Sequence, residues 1–415
     1  MAKEFDLGNV IGPRGLKGDK GDKGDKGDRG ERGEQGPPGV SAVEVYGVRI
    51  DTTDSNPETA CEYTDNAVGM LPAHGNNGAF NGGDWLTRYP FNSIRPCLFK
   101  NGAVVGYLNP DNFAQFADGT SADISSGDAG DVMIEIPKFY YKIGRNGNYV
   151  DVKIANAQMA GFTDYAFSYK GESKDKFYIG AYLGYKDGNN KLRSLTGKTV
   201  TGSITIGAAR TAAQANGAGY EQLSFNKLTA LQVLYVVMFK NLNSQAALGQ
   251  GYTNNSSAYR DTGATDTKGM TYGTNAGATA DDTVKLFGIE DFWGNRYQWV
   301  DGFMTGGDAI KIADGNFNDT GDGYEVFSDM NISIVGSNIK DVVGTNKLGF
   351  TPKLGGGSTS TYYCDITVVM TSSACVPYFG GYRSDGAGAG AFCLYCDFSA
   401  SDAYLFIGAR LCFCG

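Results

Sequence analysis

Glycine recurs at every third position from residue 12 to residue 39, ten times without a slip. Where three polyproline-II chains wind together only glycine fits at the crowded axis, so this period predicts a collagen triple helix and a homotrimer. At about 3.1 Å per residue the run would form a rod roughly 85 Å long. A flexible charged linker shares the composition but has no reason to keep phase. Asp19, Asp22, Asp25 and Asp28 take the X positions of the repeat, and Lys17, Lys20, Lys23 and Lys26 the Y positions. Each Y ammonium can meet an X carboxylate on the neighbouring staggered chain. One exposed pair contributes about 0–1 kcal/mol, but the ladder repeats along three strands. Seven basic residues face six acidic ones between residues 14 and 34, which leaves no excess charge for a nucleic acid.

Charge over the whole chain points the same way. A net charge of −9 over 415 residues argues against nucleic-acid and anionic-membrane partners. No apolar run is long enough to cross a bilayer, and residues 1–7 lack the apolar core of a signal peptide. The expectation is synthesis and folding in a cytoplasm, with work done outside it. Sixty-one glycines and 25 tyrosines, with abundant Asn, Thr and Ser, describe a loop-rich, β-dominated protein. The single histidine, His74, sits in a loop-like stretch. One histidine removes most Ser-His-Asp, Cys-His and His-metal schemes. Among eight cysteines, Cys393, Cys396, Cys412 and Cys414 have a zinc-like spacing. Cys412 and Cys414 share one face of an apparent strand, which suits ligands or plain packing. Buried free thiols are the expectation in a reducing compartment.

Along the chain, residues 1–11 read as an adaptor and 12–39 as the rod. Short strand-like runs at 43–50 and 97–107 suggest a small β domain over 42–128, with Asn101-Gly102 marking a hairpin turn. Strands at 131–143 and 176–182 open a larger domain, 129–415. Leu228, Leu231, Leu234, Tyr235, Met238 and Leu242 fall on one face at 3.6-residue spacing and predict a helix over 226–248. Val233, Val236 and Val237 widen that face, so the helix should be deeply buried. The Gly-, Thr- and Asn-rich stretch 249–280 reads as a long surface loop.

Asp314, Asn316, Asn318, Thr320, Asp322 and Glu325 match the ligand spacing of a calcium loop. Asp319 stands where the sharp turn of such a loop needs glycine, and a polar interstrand loop explains the same letters. The acidic, Gly-rich stretch 118–131 is less specific still. No phosphate-binding loop, dinucleotide fingerprint or carboxylate pair is present, so neither catalysis nor a cofactor is expected.

The stretch 287–303 carries a Trp-Gly-Asn turn followed by Trp-Val, and 408–411 reads Gly-Ala-Arg-Leu. This combination resembles the C-type-lectin-like fold. It is most similar to the branch shared by formylglycine-generating enzymes and the variable proteins of diversity-generating retroelements. The resemblance implies an α+β C-terminal domain whose aromatic turn is structural. The sugar-chelating motifs of calcium lectins are missing, and the reactive cysteine pair of the oxidases has no specific match.

The segment 380–413 resembles a retroelement variable region. Its fixed frame would be Gly380, Gly381, Gly386, Ala389, Gly390, Phe392, Ser399, Ala400, Ser401, Ala403, Ile407, Gly408 and Arg410. The varied sites would be Tyr382, Ser384, Asp385, Gly388, Tyr395, Asp397, Phe398, Asp402, Tyr404 and Phe406, with Arg383, Cys396 and Leu405 as additions. Randomising the two adenines of an Asn codon cannot yield Lys, Glu, Gln, Met or Trp, and none of these occurs in 380–415. Tyr and Phe offer contact area at little rotamer cost, while Ser, Asp and Gly add adaptable polar contacts, the mixture of an antibody paratope. Exposed aromatics on a rigid frame imply a partner.

With the collagen repeat, the chain resembles a bacteriophage tail fibre or receptor-binding protein. That likeness implies a homotrimer in the virion. Its N-terminus would join a tail or baseplate protein, and its variable face would bind a host-surface glycan or protein. Three heads on one stalk would gain avidity. A collagen-stalked bacterial surface adhesin is the alternative, and a formylglycine-generating type of enzyme a third reading.

Overall fold

The computed structural model describes residues 14–21, 43–254, 257–275 and 282–415. The chain divides into two units, 1–42 and 43–415. Of the predicted adaptor and rod, only 14–21 are described, as exposed chain without regular secondary structure. The rest of both lies outside the described residues.

The second unit is mostly β-sheet with few helices. A four-stranded antiparallel sheet runs in the order Cys61–Asp65, Val45–Asp51, Tyr149–Ala155, Tyr140–Asn146. A seven-stranded antiparallel sheet runs Tyr220–Gln222, Leu411–Phe413, Lys176–Gly180, Asp131–Pro137, Arg95–Lys100, Ala103–Asn109, Asn112–Phe116. The predicted hairpin is there. Asn101 and Gly102 both take positive φ, +52° and +79°, the backbone of a tight turn matched to strand twist. The predicted boundary between 42–128 and 129–415 is not. Arg95–Lys100 pairs directly with Asp131–Pro137, and Val45–Asp51 with Tyr149–Ala155, so both sheets draw strands from each side of it. Two more expectations are corrected. His74 begins a short strand, His74–Asn76, rather than lying in a loop. The described part of 249–280 runs only partly over the surface: it buries Tyr252, Thr253, Thr262 and Thr265 between exposed residues such as Ser257, Asp261 and Lys268.

Helix α1 (Ile206–Gln214) starts at Thr205, whose side chain caps the Ala208 N–H. Helix α2 (Phe225–Phe239) is buried along its whole length, as a helix apolar around its circumference must be. It is shorter than the predicted 226–248. Lys240 turns left-handed at φ +49°, donates its N–H to the Val236 carbonyl, and sends Nζ to the Cys61 carbonyl at 3.0 Å. Asn243 then caps a single further turn, α3 (Ser244–Ala247).

A second seven-stranded sheet holds the C-terminal segment. Its order is Pro352–Gly357, Ser333–Val342, Ile366–Met370, Leu394–Phe398, Val376–Phe379, Tyr297–Trp299, Ile407–Gly408. Two pairings are parallel: Ile366–Met370 with Leu394–Phe398, and Tyr297–Trp299 with Ile407–Gly408. Arg410, fully buried, ties this sheet to the previous one. Its Nε donates to Gln298 Oε1 at 2.6 Å, and its Nη atoms donate to the carbonyls of Gly180, Ala181, Glu290 and Asp291 at 2.8–3.2 Å. Burial lowers its pKa to about 10, which leaves it a cation at neutral pH.

Four of these acceptors are backbone carbonyls, which no second substitution can make apolar. Arg410→Met keeps most of the stem and strips every donor, so it should cost roughly 3 kcal/mol or more of unfolding free energy in denaturant titration. A loss under about 1 kcal/mol would mean that the network is dispensable.

Candidate functional site

The segment 380–413 is held by backbone bonds to the aromatic turn before it and to Thr253. Gly294 donates to the Gly380 carbonyl at 3.1 Å, Arg383 to the Asn295 carbonyl at 3.1 Å, and Gly386 to the Thr253 carbonyl at 2.8 Å. Asn295 is itself fixed by Asp291 and by the Arg260 carbonyl, so the turn is rigid. Phe292, Trp293 and Trp299 are wholly buried, the structural role expected of them. The frame glycines are needed for space. A Cβ on Gly381, at φ +82°, would stand 2.4 Å from that of Ala389, and one on Gly390 would stand 2.2 Å from Asp365 Oδ1.

On this frame lies a continuous cluster of seven aromatic rings. Tyr297 and Tyr378, both buried, form its floor, with centroids 4.8 Å apart and edge to face. Tyr395 and Phe398 both stack on Tyr378, at 5.3 and 5.0 Å. Tyr382 stacks on Tyr297 at 5.7 Å, and Phe406 joins it at 5.6 Å. Tyr404 completes the cluster against Phe398 at 4.5 Å and Phe406 at 5.1 Å.

A β-bulge makes the cluster possible. Tyr378 pairs with Tyr395 while Val376 pairs with Phe398, so the strand Leu394–Phe398 carries one extra residue. Strict alternation would send Tyr395 and Phe398 to opposite faces; the bulge re-aims Phe398 beside Tyr395. Leu394 and Cys396 point the other way, into the larger core.

The predicted recognition residues therefore divide. Tyr404 and Leu405 are exposed, 38% and 56%, although the backbone beneath them is pinned by Ser203 N–H to the Tyr404 carbonyl and Tyr297 N–H to the Phe406 carbonyl. Ser384 is exposed; Tyr382, Arg383, Tyr395, Phe398 and Phe406 are half-buried, each presenting an edge. The carboxylates are occupied internally. Asp385 accepts from the Tyr382 N–H at 2.9 Å, Asp397 from the Tyr378 hydroxyl at 2.7 Å, and Asp402 from the Ser399 N–H at 2.7 Å. Gly388 does not belong to a variable face. It is buried, and a Cβ there would meet Ile366 Cγ2 at 2.8 Å. Cys396 is likewise buried, beside the Thr305 hydroxyl. Tyr297 and Tyr378 escaped the sequence reading because both lie outside 380–413. The alternation of Tyr297 with Trp299 was the available signal.

The calcium-like residues do not assemble a metal site. Asn318 Oδ1 accepts the backbone N–H groups of Thr320, Gly321 and Asp322, Asp314 accepts the Ser168 hydroxyl at 2.6 Å, and Glu325 pairs with Lys347. Their side chains serve a turn. Asp314, Asn316, Asp322 and Glu325 instead line a polar cavity of about 340 Å³ with Tyr165, Tyr324 and Lys347. Among the described residues, no group of three His, Cys, Asp or Glu side chains could hold a metal ion. All eight cysteines are buried free thiols; Cys393 lies in one core cluster and Cys396, Cys412 and Cys414 in the other.

No family model and no curated protein matches the chain. Solved structures named Major Tropism Determinant, variants U1 and M1, align over 91% of this chain and 73% of theirs, at 11% and 12% identity and a TM-score of 0.30. PvdO from Pseudomonas aeruginosa aligns over 71% of this chain and 98% of its own, at 11% identity and a TM-score of 0.28. Overlap this loose supports no argument about fold or function.

Asp365 gives the frame a pH signature. It is buried, has no cationic partner among the described residues and accepts the Phe392 N–H at 2.7 Å; burial holds its pKa well above the ordinary 3.8. A raised carboxyl pKa means the folded chain keeps a proton that the unfolded chain has lost, so this contribution is full below about pH 4 and wanes as pH rises. The stability difference between Asp365→Asn and wild type should therefore shift in the variant's favour between about pH 4 and 8, by at most about 1.4 kcal/mol per pH unit. A difference flat with pH would place an ionised Asp365 in the fold at no cost.

Proposed function

We propose that the chain is a bacteriophage tail-fibre receptor-binding protein. Its head would be a C-type-lectin-like domain of the retroelement-variable type, and the face at 380–413 would attach the virion to a bacterial surface. In this reading 12–39 is a collagen rod that trimerises the chain, residues 1–11 join the tail or baseplate, and no catalytic step is involved. The observation that carries it is the aromatic cluster. Its floor, Tyr297 and Tyr378, belongs to the fixed sheet, whereas the five rings above it occupy positions read as variable. Rigid rings over a fixed floor give contact area with little ordering cost, and three copies on one stalk multiply weak contacts.

The cluster offers stacking faces and apolar edges, while its carboxylates are already engaged. It suits the apolar face of a sugar ring or an aliphatic or aromatic side chain rather than a chelated ion. Labelled full-length chain, titrated on intact bacterial cells that retain it, is the test. The double variant Tyr404→Ala, Leu405→Ala should bind at least tenfold more weakly with an unchanged thermal midpoint. Retention equal to wild type would remove the face from attachment.

A further inference from the structure

Beside the aromatic cluster lies a cationic seam whose fixed member, Arg296, the attachment reading does not use. Arg296 immediately precedes Tyr297 and is only 3% exposed. Its Nε and Nη1 find no hydrogen-bond acceptor, and no carboxylate pairs with it among the described residues. Its guanidinium rests on the Tyr259 ring, 3.6 Å from the centroid, and Arg383 approaches the same ring at 4.6 Å. Three other buried cations of this chain are provided for. Arg210 pairs with Asp301, Lys227 with Glu221, and Arg410 has five hydrogen bonds. A buried guanidinium with idle donors beside a second guanidinium destabilises a fold and calls for a compensating partner, of which a bound anion is one.

Access is local. Gly202 lies over Arg296: a Cβ there would stand 2.7 Å from Nη1 and 2.2 Å from the Leu405 carbonyl oxygen. Its φ is not in the left-handed region, so glycine at 202 serves space rather than backbone conformation. Ser203 and Leu405, on either side of this seam, are exposed. The seam thus lies beneath the rim of the aromatic face, with Arg383 as its accessible end. Arg383, one of the positions read as variable, is half-buried there.

We propose that Arg296, Arg383 and Tyr259 form an oxyanion subsite of the attachment face, which receives a carboxylate or phosphate group carried by the receptor. This rests on the attachment reading for its biological setting but not for its chemistry. Guanidinium forks match both oxyanions, and a net charge of −9 makes the local site, not the overall field, responsible for any anion held. The Tyr259 ring keeps the two cations together by cation–π contact when no anion is present.

Calorimetric titration of the full-length chain with D-glucuronate, inorganic phosphate and D-glucose tests the subsite. Saturable binding of glucuronate or phosphate but not glucose is expected, and the better of the two names the source. Arg296→Met should weaken it at least tenfold while raising the thermal midpoint of the unliganded protein, because an uncompensated buried charge is gone. A structural arginine would lower that midpoint. Should Arg296→Met fail to fold, Arg383→Gln decides, with a tenfold loss supporting the subsite and unchanged binding overturning it. Absence of saturation by either anion overturns it as well. On cells, retention that survives Arg296→Met but not the Tyr404→Ala, Leu405→Ala pair would remove the subsite and keep the face. Retention that survives both would remove the face itself.

Discussion

The structure of the C-terminal half depends on one buried cation that is satisfied by backbone. Arg410 reaches across the seam between the two seven-stranded sheets and gathers carbonyls from 180–181 and 290–291 together with the Gln298 side chain. Because its partners are main-chain groups, the arrangement constrains chain path rather than side-chain identity. The two glycine-dependent approaches at Gly381 and Gly390 and the carboxylate of Asp365 then set the route of the segment between the strands. What remains undetermined by this frame is the set of side chains that point away from it. That separation lets one segment be strict at some positions and permissive at others.

The aromatic cluster shows how recognition can be placed on such a frame without loosening it. Its floor belongs to strands Tyr297–Trp299 and Val376–Phe379, so the upper rings pack on surfaces that do not change with them. Exchanging an upper ring for a smaller side chain removes a half-buried contact at the edge of the core, a smaller loss than truncating a fully buried ring. The bulge in Leu394–Phe398 adds a second ring to the face without lengthening the sheet. The idle donors of Arg296 lie at the edge of the same face. There a destabilised group is tolerable because the surrounding strands are over-determined.

Local chemistry was legible in the sequence, and long-range geometry was not. The Asn101-Gly102 turn and the buried α2 follow from rules that act within a few residues. The early termination of α2 hinges on Lys240 accepting a left-handed conformation, which its side chain does not advertise. The supposed boundary near residue 128 failed because strand pairing across it is decided by partners tens of residues away. Gly388 read as variable since glycine is among the residues a randomised codon can encode; only Ile366, on another strand, shows that it has no room to vary. The calcium-like spacing was real but was consumed by a turn around Asn318.

The central claim is that a strict frame carries a permissive face within one continuous segment. The most direct measurement is a library randomised singly at every position of 380–413 and sorted for folded, soluble full-length chain. The account predicts broad acceptance at Tyr382, Ser384, Tyr395, Phe398, Tyr404, Leu405 and Phe406, with near-exclusive retention of the native residue at Gly381, Gly388, Gly390 and Arg410. Equal tolerance across both groups, or intolerance concentrated at the aromatic positions, would contradict it.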